Sequence, residues 1–311
     1  MPDAGFSWNP VTDLQDLWSF PFMVNAFRAG AIFAVLAGVL GWFMVLRRQA
    51  FTGHTLSVVA FPGAAGATLI GVSAVYGYFA FCVGAAVIFA LATRGRQGSI
   101  GRLGQESALT GTVQAFALAC GLLFVALYKG FLEGFTALLF GSFLGITSGQ
   151  VILLAWVAVI VLCILTVIGR PLLFASADPD VAAARGVPVR ALSALFLVLL
   201  GAAVAEASQI TGALLVFALL VMPAATAQRL TARPLVSLLL TIGIGWLVTW
   251  AGLVAAYYSP YPIGFYVTTF AFAAYLAAQL LGNLTQQAAR RPTRRPPGSS
   301  ALLSDLAEGT R

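Results

Sequence analysis

Long apolar runs, separated by short stretches rich in arginine, glycine and proline, set the pattern of this chain. Each run is about 20 residues long, which is the length an α-helix needs to cross a hydrocarbon core of about 30 Å. The runs lack the two-residue alternation of barrel strands. The pattern therefore predicts an all-α integral membrane protein with about nine transmembrane helices, at about Val24–Leu46, Thr55–Ala74, Tyr76–Ala92, Leu109–Tyr128, Gln150–Ile168, Ala191–Ser208, Gly212–Ala227, Leu235–Tyr257 and Ile263–Leu281.

The regions around these runs define the predicted domains. Residues 1–23 form an N-terminal segment, residues 24–282 a membrane domain, and residues 283–311 a tail rich in proline, arginine and serine that cannot build a core and is predicted to be disordered. Phe131–Phe143 is apolar but short, so we interpret it as a half-helix at one surface. Eight crossings remain an alternative count.

The basic residues orient the chain. With an external N-terminus and nine crossings, all of the 17 Lys and Arg residues except Arg28 and Lys129 face the cytoplasm, as does the C-terminus. Basic loops stay cytoplasmic, so this orientation is favoured. The overall composition agrees, because 60% of the residues are hydrophobic and 9% are charged, with a mean hydropathy of +0.95. We expect a multi-pass protein of the cell membrane.

The sequence excludes most catalytic chemistry. It has one histidine, three widely spaced cysteines and no glycine-rich phosphate loop. We therefore expect no enzyme activity, no bound cofactor and no nucleic-acid partner. If the chain moves a substrate uphill, the energy comes from a separate ATPase or from an ion gradient, so an ATP-driven permease and a secondary transporter are both candidates.

One predicted cytoplasmic loop has strong local signals. Asp178 is a good N-cap, Pro179 suits the first helical position, and Asp180 lies in the first turn, where the helix dipole favours a negative charge. Gly186 ends the segment and Pro188 prevents its continuation. The pattern predicts a short polar helix between two spans. From these signals alone it is an ordinary capped connector or an element with a functional role.

The same region resembles the ABC-3 family of metal-uptake ABC transporter permeases, the zinc, manganese and iron type. The family's "DPE.A.A.GV" loop matches the stretch from Asp178 to Val187, and its later "Q..G.LLV.ALLV.PAATA" matches Gln209 to Ala227. "FMVLRRQAFTGHTLSVVAFPG" is similar to the family's "VLRRM...GDALSHA.LPG". The resemblance covers most of Val24–Leu281.

This resemblance implies a membrane-spanning subunit of a binding-protein-dependent importer for a divalent transition metal, zinc or manganese, with a fold related to the vitamin B12 and siderophore permeases. It implies a homodimeric pore, cytoplasmic ATP-binding subunits and an external substrate-binding protein. Asp178–Gly186, with Arg185, would couple to the ATPase. Arg28 would meet the binding protein, or it is a lipid anchor. A metal chelate is the alternative substrate.

Two polar residues are candidates for the substrate path. The family motif has an Asp and a His four residues apart, on one helix face, where this chain has His54 and Val58. His54 is a transient ligand, a gate residue or an interfacial residue with no special role. Glu206 is the only acidic residue within a predicted span, which makes it a functional candidate or an interfacial carboxylate already in water. The sequence leaves the identity of any bound metal unknown.

Overall fold

The computed structural model describes residues 17–92, 102–128 and 145–289. This part of the chain is helical, with no strand among the described residues. Its helices are α1 Pro21–Leu46, α2 Ala50–Leu69, α3 Ala74–Ala92, α4 Arg102–Leu127, α5 Ser148–Ala177, α6 Pro179–Ala184, α7 Val189–Thr211, α8 Ala213–Leu230, α9 Pro234–Tyr257 and α10 Ile263–Ala289.

Each of the nine predicted spans corresponds to its own long helix within the described ranges. Seven of them, α1, α3, α4, α5, α7, α9 and α10, are long and apolar enough to cross a membrane. The helix α2 carries the polar His54, Pro62 and several small residues, and the apolar stretch described in α8 covers only Leu215–Leu230. The all-helical membrane fold is confirmed, whereas the count of nine crossings stays a prediction.

Several boundaries differ from the predicted ones. The helix α2 begins at Ala50, directly after the turn that ends α1, and it ends near Gly71, whose φ of 77° closes the last turn. The helix α5 continues through Pro171 to Ala177 because Leu172 and Ala175 pack in the core. The helix α10 runs to Ala289, into the segment predicted as tail. The interpretation of Phe131–Phe143 and the disorder predicted for residues 290–311 lie outside the described residues.

Side-chain contacts at both ends show that α1 and α5 run parallel. At one end, Asn25 Nδ2 donates to Ile146 O at 3.2 Å and to Ser148 Oγ at 3.3 Å. At the other end, Arg47 Nη1 donates to Ser176 Oγ at 3.1 Å. We call this second end, which also carries Arg185 and Arg229, the basic end of the bundle.

The helices α2 and α4 are parallel to each other. Thr55 Oγ1 donates to Gln114 Oε1 at 3.0 Å, and further along both helices Gly66 lies against the ring of Phe124. Because α2 starts at the basic end, α4 finishes at the opposite end. The finish of α4 and the start of α5 therefore lie at the same face of the bundle.

Small residues allow close helix packing, as is common in membrane proteins. The backbones of α2 and α3 touch at Gly63 and Gly77, where a Cβ on either glycine would overlap the carbonyl oxygen of the other. The helices α7 and α8 are joined by a single residue, Gly212, with φ 75° and ψ 154°. The small side chains thus fix the distance between neighbouring helices.

The basic end of α1 is tied to two later helices. The indole of Trp42 donates from Nε1 to Ser237 Oγ in α9 at 3.0 Å, in a buried position. Gln228 of α8 donates from Nε2 to the carbonyl oxygen of Trp42 at 2.9 Å. These bonds fix the ends of α8 and α9 against α1.

Candidate substrate path and docking helix

The short helix α6 begins with the predicted cap. Asp178 Oδ1 accepts from the backbone N–H groups of Asp180, at 3.2 Å, and Val181, at 3.0 Å. Pro179 occupies the first turn, where its missing N–H costs nothing, and Asp180 follows it. A six-residue helix gains little from propensity alone. The carboxylate cap therefore contributes a large share of its local stability.

The other end of α6 closes through Gly186, which has a φ of 82°. The N–H of Gly186 donates to Ala183 O and that of Val187 to Ala182 O, both at 3.0 Å, which is the bond pattern of a Schellman cap. Of the residues from Asp178 to Gly186, only Ala182 is buried. The helix therefore presents an exposed surface at the basic end of the bundle, with Arg185 on it.

His54 lies in the second turn of α2, and its side chain is half-buried. Its ring centroid is 4.5 Å from that of Phe217 in α8, at an interplanar angle of 58°. The Nδ1 atom is buried and has no hydrogen-bond partner. One ring nitrogen of His54 is therefore left without a hydrogen-bond partner, at the contact between α2 and α8.

Glu206 is buried near the end of α7, with 1% of its surface exposed. Its Oε2 accepts from Gln209 Nε2 at 3.2 Å, whereas its Oε1 is buried with no partner. The hydroxyl of Ser208 is also buried without a hydrogen bond. An unpaired buried polar group is costly, and an acidic residue in a span usually faces a cavity or a partner. The interfacial interpretation of Glu206 does not fit this burial.

His54 and Glu206 lie at different depths in the bundle, because α2 and α7 both start at the basic end and His54 is the fifth residue of α2, whereas Glu206 is the eighteenth residue of α7. His54 contacts Phe217, and Glu206 contacts Gln209 one turn away on its own helix. In residues 17–92, 102–128 and 145–289, no group of three His, Cys, Asp or Glu side chains could hold a metal ion. Each candidate has one buried donor atom without a hydrogen-bond partner. Arg28 is exposed near the end opposite the basic end.

Some residues of this region were not singled out from the sequence. The pairing of Glu206 with Gln209 could have been predicted from the sequence, since residues three apart share a helix face. The contact of Phe217 with His54 could not have been predicted in this way, because it joins helices that are distant in sequence. Ser208 could be found only from its burial.

Comparison with known proteins identifies the class to which these helices belong. The profile of the ABC 3 transport family matches residues 19–282. The chain belongs to this family and is the membrane-spanning permease subunit of an ABC transporter. The family resemblance inferred from the motifs is confirmed, and the secondary-transporter alternative is excluded.

The chain is similar to curated transport proteins over most of its length. The manganese transport system membrane protein MntC of Halalkalibacterium halodurans is 32% identical over 239 residues, which cover 77% of this chain and 80% of that protein. The chelated iron transport system membrane protein YfeC of Yersinia pestis is 31% identical over 241 residues, covering 78% of this chain and 80% of that one. The similarity spans the membrane domain.

Solved structures support the fold. PsaBC from Streptococcus pneumoniae in complex with Fab matches with a TM-score of 0.74 and 24% identity, covering 86% of this chain and 94% of that one. An inward-facing structure assigned to a metal-chelate type ABC transporter matches with a TM-score of 0.63 and 22% identity, covering 86% and 85%. At these identities the likeness concerns the arrangement of helices alone.

Proposed function

We propose that this permease imports a divalent transition metal, manganese or zinc, across the cell membrane. A separate cytoplasmic subunit would hydrolyse ATP, and an external binding protein would deliver the metal. The relatives named for manganese transport and for chelated iron transport support a metal substrate. The family membership supports the two partners.

The observation that carries this proposal is the exposed, doubly capped helix α6 at the basic end of the bundle. In our proposal it docks into the ATPase subunit, with Arg185 as a charged contact. The basic end then faces the cytoplasm, the N-terminus is external, and all nine long helices cross the membrane. Two copies of the chain form the pore, in the manner of vitamin B12 and siderophore permeases, and Arg28 faces the binding protein.

The substrate path in this proposal passes His54 and Glu206. The free Nδ1 of His54 and the free Oε1 of Glu206 are the kinds of donor that Mn²⁺, Fe²⁺ and Zn²⁺ accept. Because the two donors lie apart, each would hold the ion weakly and in turn. A pore site must bind an ion weakly enough to release it. Val58 provides no donor, so the path differs from the Asp and His pair of the family motif.

A metal chelate is the second candidate substrate. The described part of the chain contains no group of three metal-binding side chains, and a chelate would bring its own ligands. A chelate would need space and a few polar contacts rather than coordinating side chains. Chelated iron also appears in the name of one relative, YfeC.

Reconstitution in proteoliposomes with the ATPase and the binding protein tests the proposal. We expect ATP-dependent uptake of radiolabelled Mn²⁺ or Zn²⁺ that excess ferric chelate does not inhibit. Arg185→Glu removes a docking charge that has no side-chain hydrogen bond within the described residues. A charge-assisted hydrogen bond contributes about 1.5–3 kcal/mol, so docking should weaken at least tenfold. Arg190→Glu, at an exposed site outside α6, is the matched control.

Two results would contradict the proposal. Uptake of the chelate but of neither bare ion would favour the second substrate. Equal uptake by the Arg185→Glu and Arg190→Glu variants would remove the docking role of α6.

A further inference from the structure

The side chain of Arg47 occupies a site with hydrogen-bond acceptors from three segments. Arg47 is the C-cap of α1, and its Nη1 donates to Ser176 Oγ at 3.1 Å. Its Nη2 donates to Ser193 Oγ at 2.5 Å and its Nε to Gln49 Oε1 at 3.2 Å. The guanidinium carbon lies 5.5 Å from the centroid of the Phe196 ring. All three kinds of nitrogen in the guanidinium therefore have an acceptor.

The two serine hydroxyls are oriented to accept from Arg47. Ser176 Oγ donates its proton to Leu172 O at 2.5 Å, and Ser193 Oγ donates to Val189 O at 2.8 Å. Each hydroxyl has one proton, so each presents a lone pair to the guanidinium. The acceptors around Arg47 among the described residues are uncharged. The planar fork of an arginine matches this set, and a lysine cannot reproduce it.

The acceptors lie on both sides of the docking helix. Ser176 is in the last turn of α5, just before Asp178 caps α6, and Ser193 is in the second turn of α7, which follows α6. One guanidinium therefore holds both helices that flank α6. Arg47 itself belongs to the turn between α1 and α2.

That turn is tightly built and leads directly to His54. The N–H of Arg48 donates to Val45 O at 3.0 Å and that of Gln49 to Met44 O at 2.9 Å, the Schellman pattern again. Arg48 takes the left-handed position with a φ of 58°. A displacement of α5 and α7 near α6 thus has a short, hydrogen-bonded route to the start of α2.

We propose that Arg47 is a positioning residue that transmits movement of the docking helix α6 to the α1–α2 hairpin. It would thereby couple ATP hydrolysis in the partner to opening of the substrate path. The inference rests on the proposed docking of the ATPase at α6. Without Arg47, the flanking helices would still respond to the ATPase, but the start of α2 would not follow them.

Ion uptake and ATP hydrolysis, measured in the same proteoliposomes, test the coupling role. For Arg47→Gln we expect the number of Mn²⁺ ions imported per ATP to fall about tenfold, within the 5–150-fold range of coupling between sites. ATP hydrolysis should keep at least about half its rate, since coupling need not act on it equally. In Arg47→Lys the number of ions imported per ATP should lie between the values for Arg47→Gln and for the unaltered transporter. In Arg190→Gln it should match the unaltered transporter. A proportional loss of uptake and hydrolysis, or an unchanged ratio, would overturn the proposal.

Hydrogen–deuterium exchange separates this proposal from the proposed function. When ATP and vanadate trap the transporter, protection should change in residues 172–193 and in residues 47–56. In Arg47→Gln only the first segment should still change. If 172–193 does not respond in the unaltered transporter, docking at α6 is wrong. If both segments respond in the variant, Arg47 does not transmit the movement.

A double serine variant decides the outcome if Arg47→Gln does not assemble. Ser176→Ala with Ser193→Ala removes two acceptors and leaves the arginine in place. The ions imported per ATP should fall in this variant as well, with the two single variants in between. An unchanged ratio in the double variant would refute the role of Arg47.

Discussion

Adding a methyl group at Gly77 is a direct test of the packing between α2 and α3. A Cβ at this position would overlap the carbonyl oxygen of Gly63 and approach the Cβ of Ala67 to 2.7 Å. Neither obstacle is the end of a flexible side chain, so the helices themselves must move apart. Gly84, two turns along the same helix, has nothing within 4 Å of its Cβ position and is the matched control.

The comparison of Gly77→Ala with Gly84→Ala isolates the cost of overpacking. Both variants gain about 1 kcal/mol from the higher helix propensity of alanine, so this gain cancels in the difference. Overpacking of a tight contact costs about 1–3 kcal/mol. At about 2–4 °C for each kcal/mol in chains of 150–250 residues, the Gly77→Ala variant should melt about 6 °C below the Gly84→Ala variant.

A thiol-reactive dye provides the assay, because Cys82 is buried on α3 and its thiol donates to Leu56 O in α2 at 3.5 Å. Labelling of Cys82 in detergent therefore reports when α2 and α3 separate. Cys120 and Cys163 are more accessible and are first replaced by alanine. Equal melting midpoints for the two variants would refute the inference that these backbones are in contact.

Three further predictions address orientation, the path and the first turn. A cysteine at Ser73 should react with impermeant external reagents and one at Ala232 only with reagents that enter the cytoplasm; the reverse labelling pattern would invert the proposed topology. The His54→Ala and Glu206→Gln variants should each slow radiolabelled Mn²⁺ uptake several-fold, while the melting midpoint of the transporter stays within a few degrees. Uptake at the unaltered rate in either variant would show that its residue is not part of the path. Arg48→Gly should raise the free energy of unfolding by about 1 kcal/mol, because glycine adopts the left-handed conformation without a Cβ penalty, and a lowered melting midpoint would contradict this.

The features that were predictable from sequence depend on neighbouring residues. The caps of α6 at Asp178 and Gly186 follow from local hydrogen-bond chemistry, and both are present. The long helices follow from the length of the apolar runs. The end of α5 was predicted too early, before Pro171, because tertiary packing there outweighs the local cost of a proline.

The features that escaped prediction depend on contacts between distant segments. In the sequence, Arg47 is one of two adjacent arginines, a pattern typical of a cytoplasmic topology signal. Its partners Ser176 and Ser193 lie far along the chain and carry no pattern of their own. The neighbour of His54 is Phe217, on a helix that packs there only in the folded bundle.

The single residue between α7 and α8 limits how this permease can evolve. Gly212 combines φ 75° with ψ 154°, a conformation that is essentially restricted to glycine. A one-base change to alanine would therefore force a rearrangement of the helix that carries Glu206 and of the helix that carries Phe217. An inserted residue would make the connection between α7 and α8 more flexible and let these two helices move independently. Substitution at this position is therefore limited by backbone geometry, whatever side chains line the path.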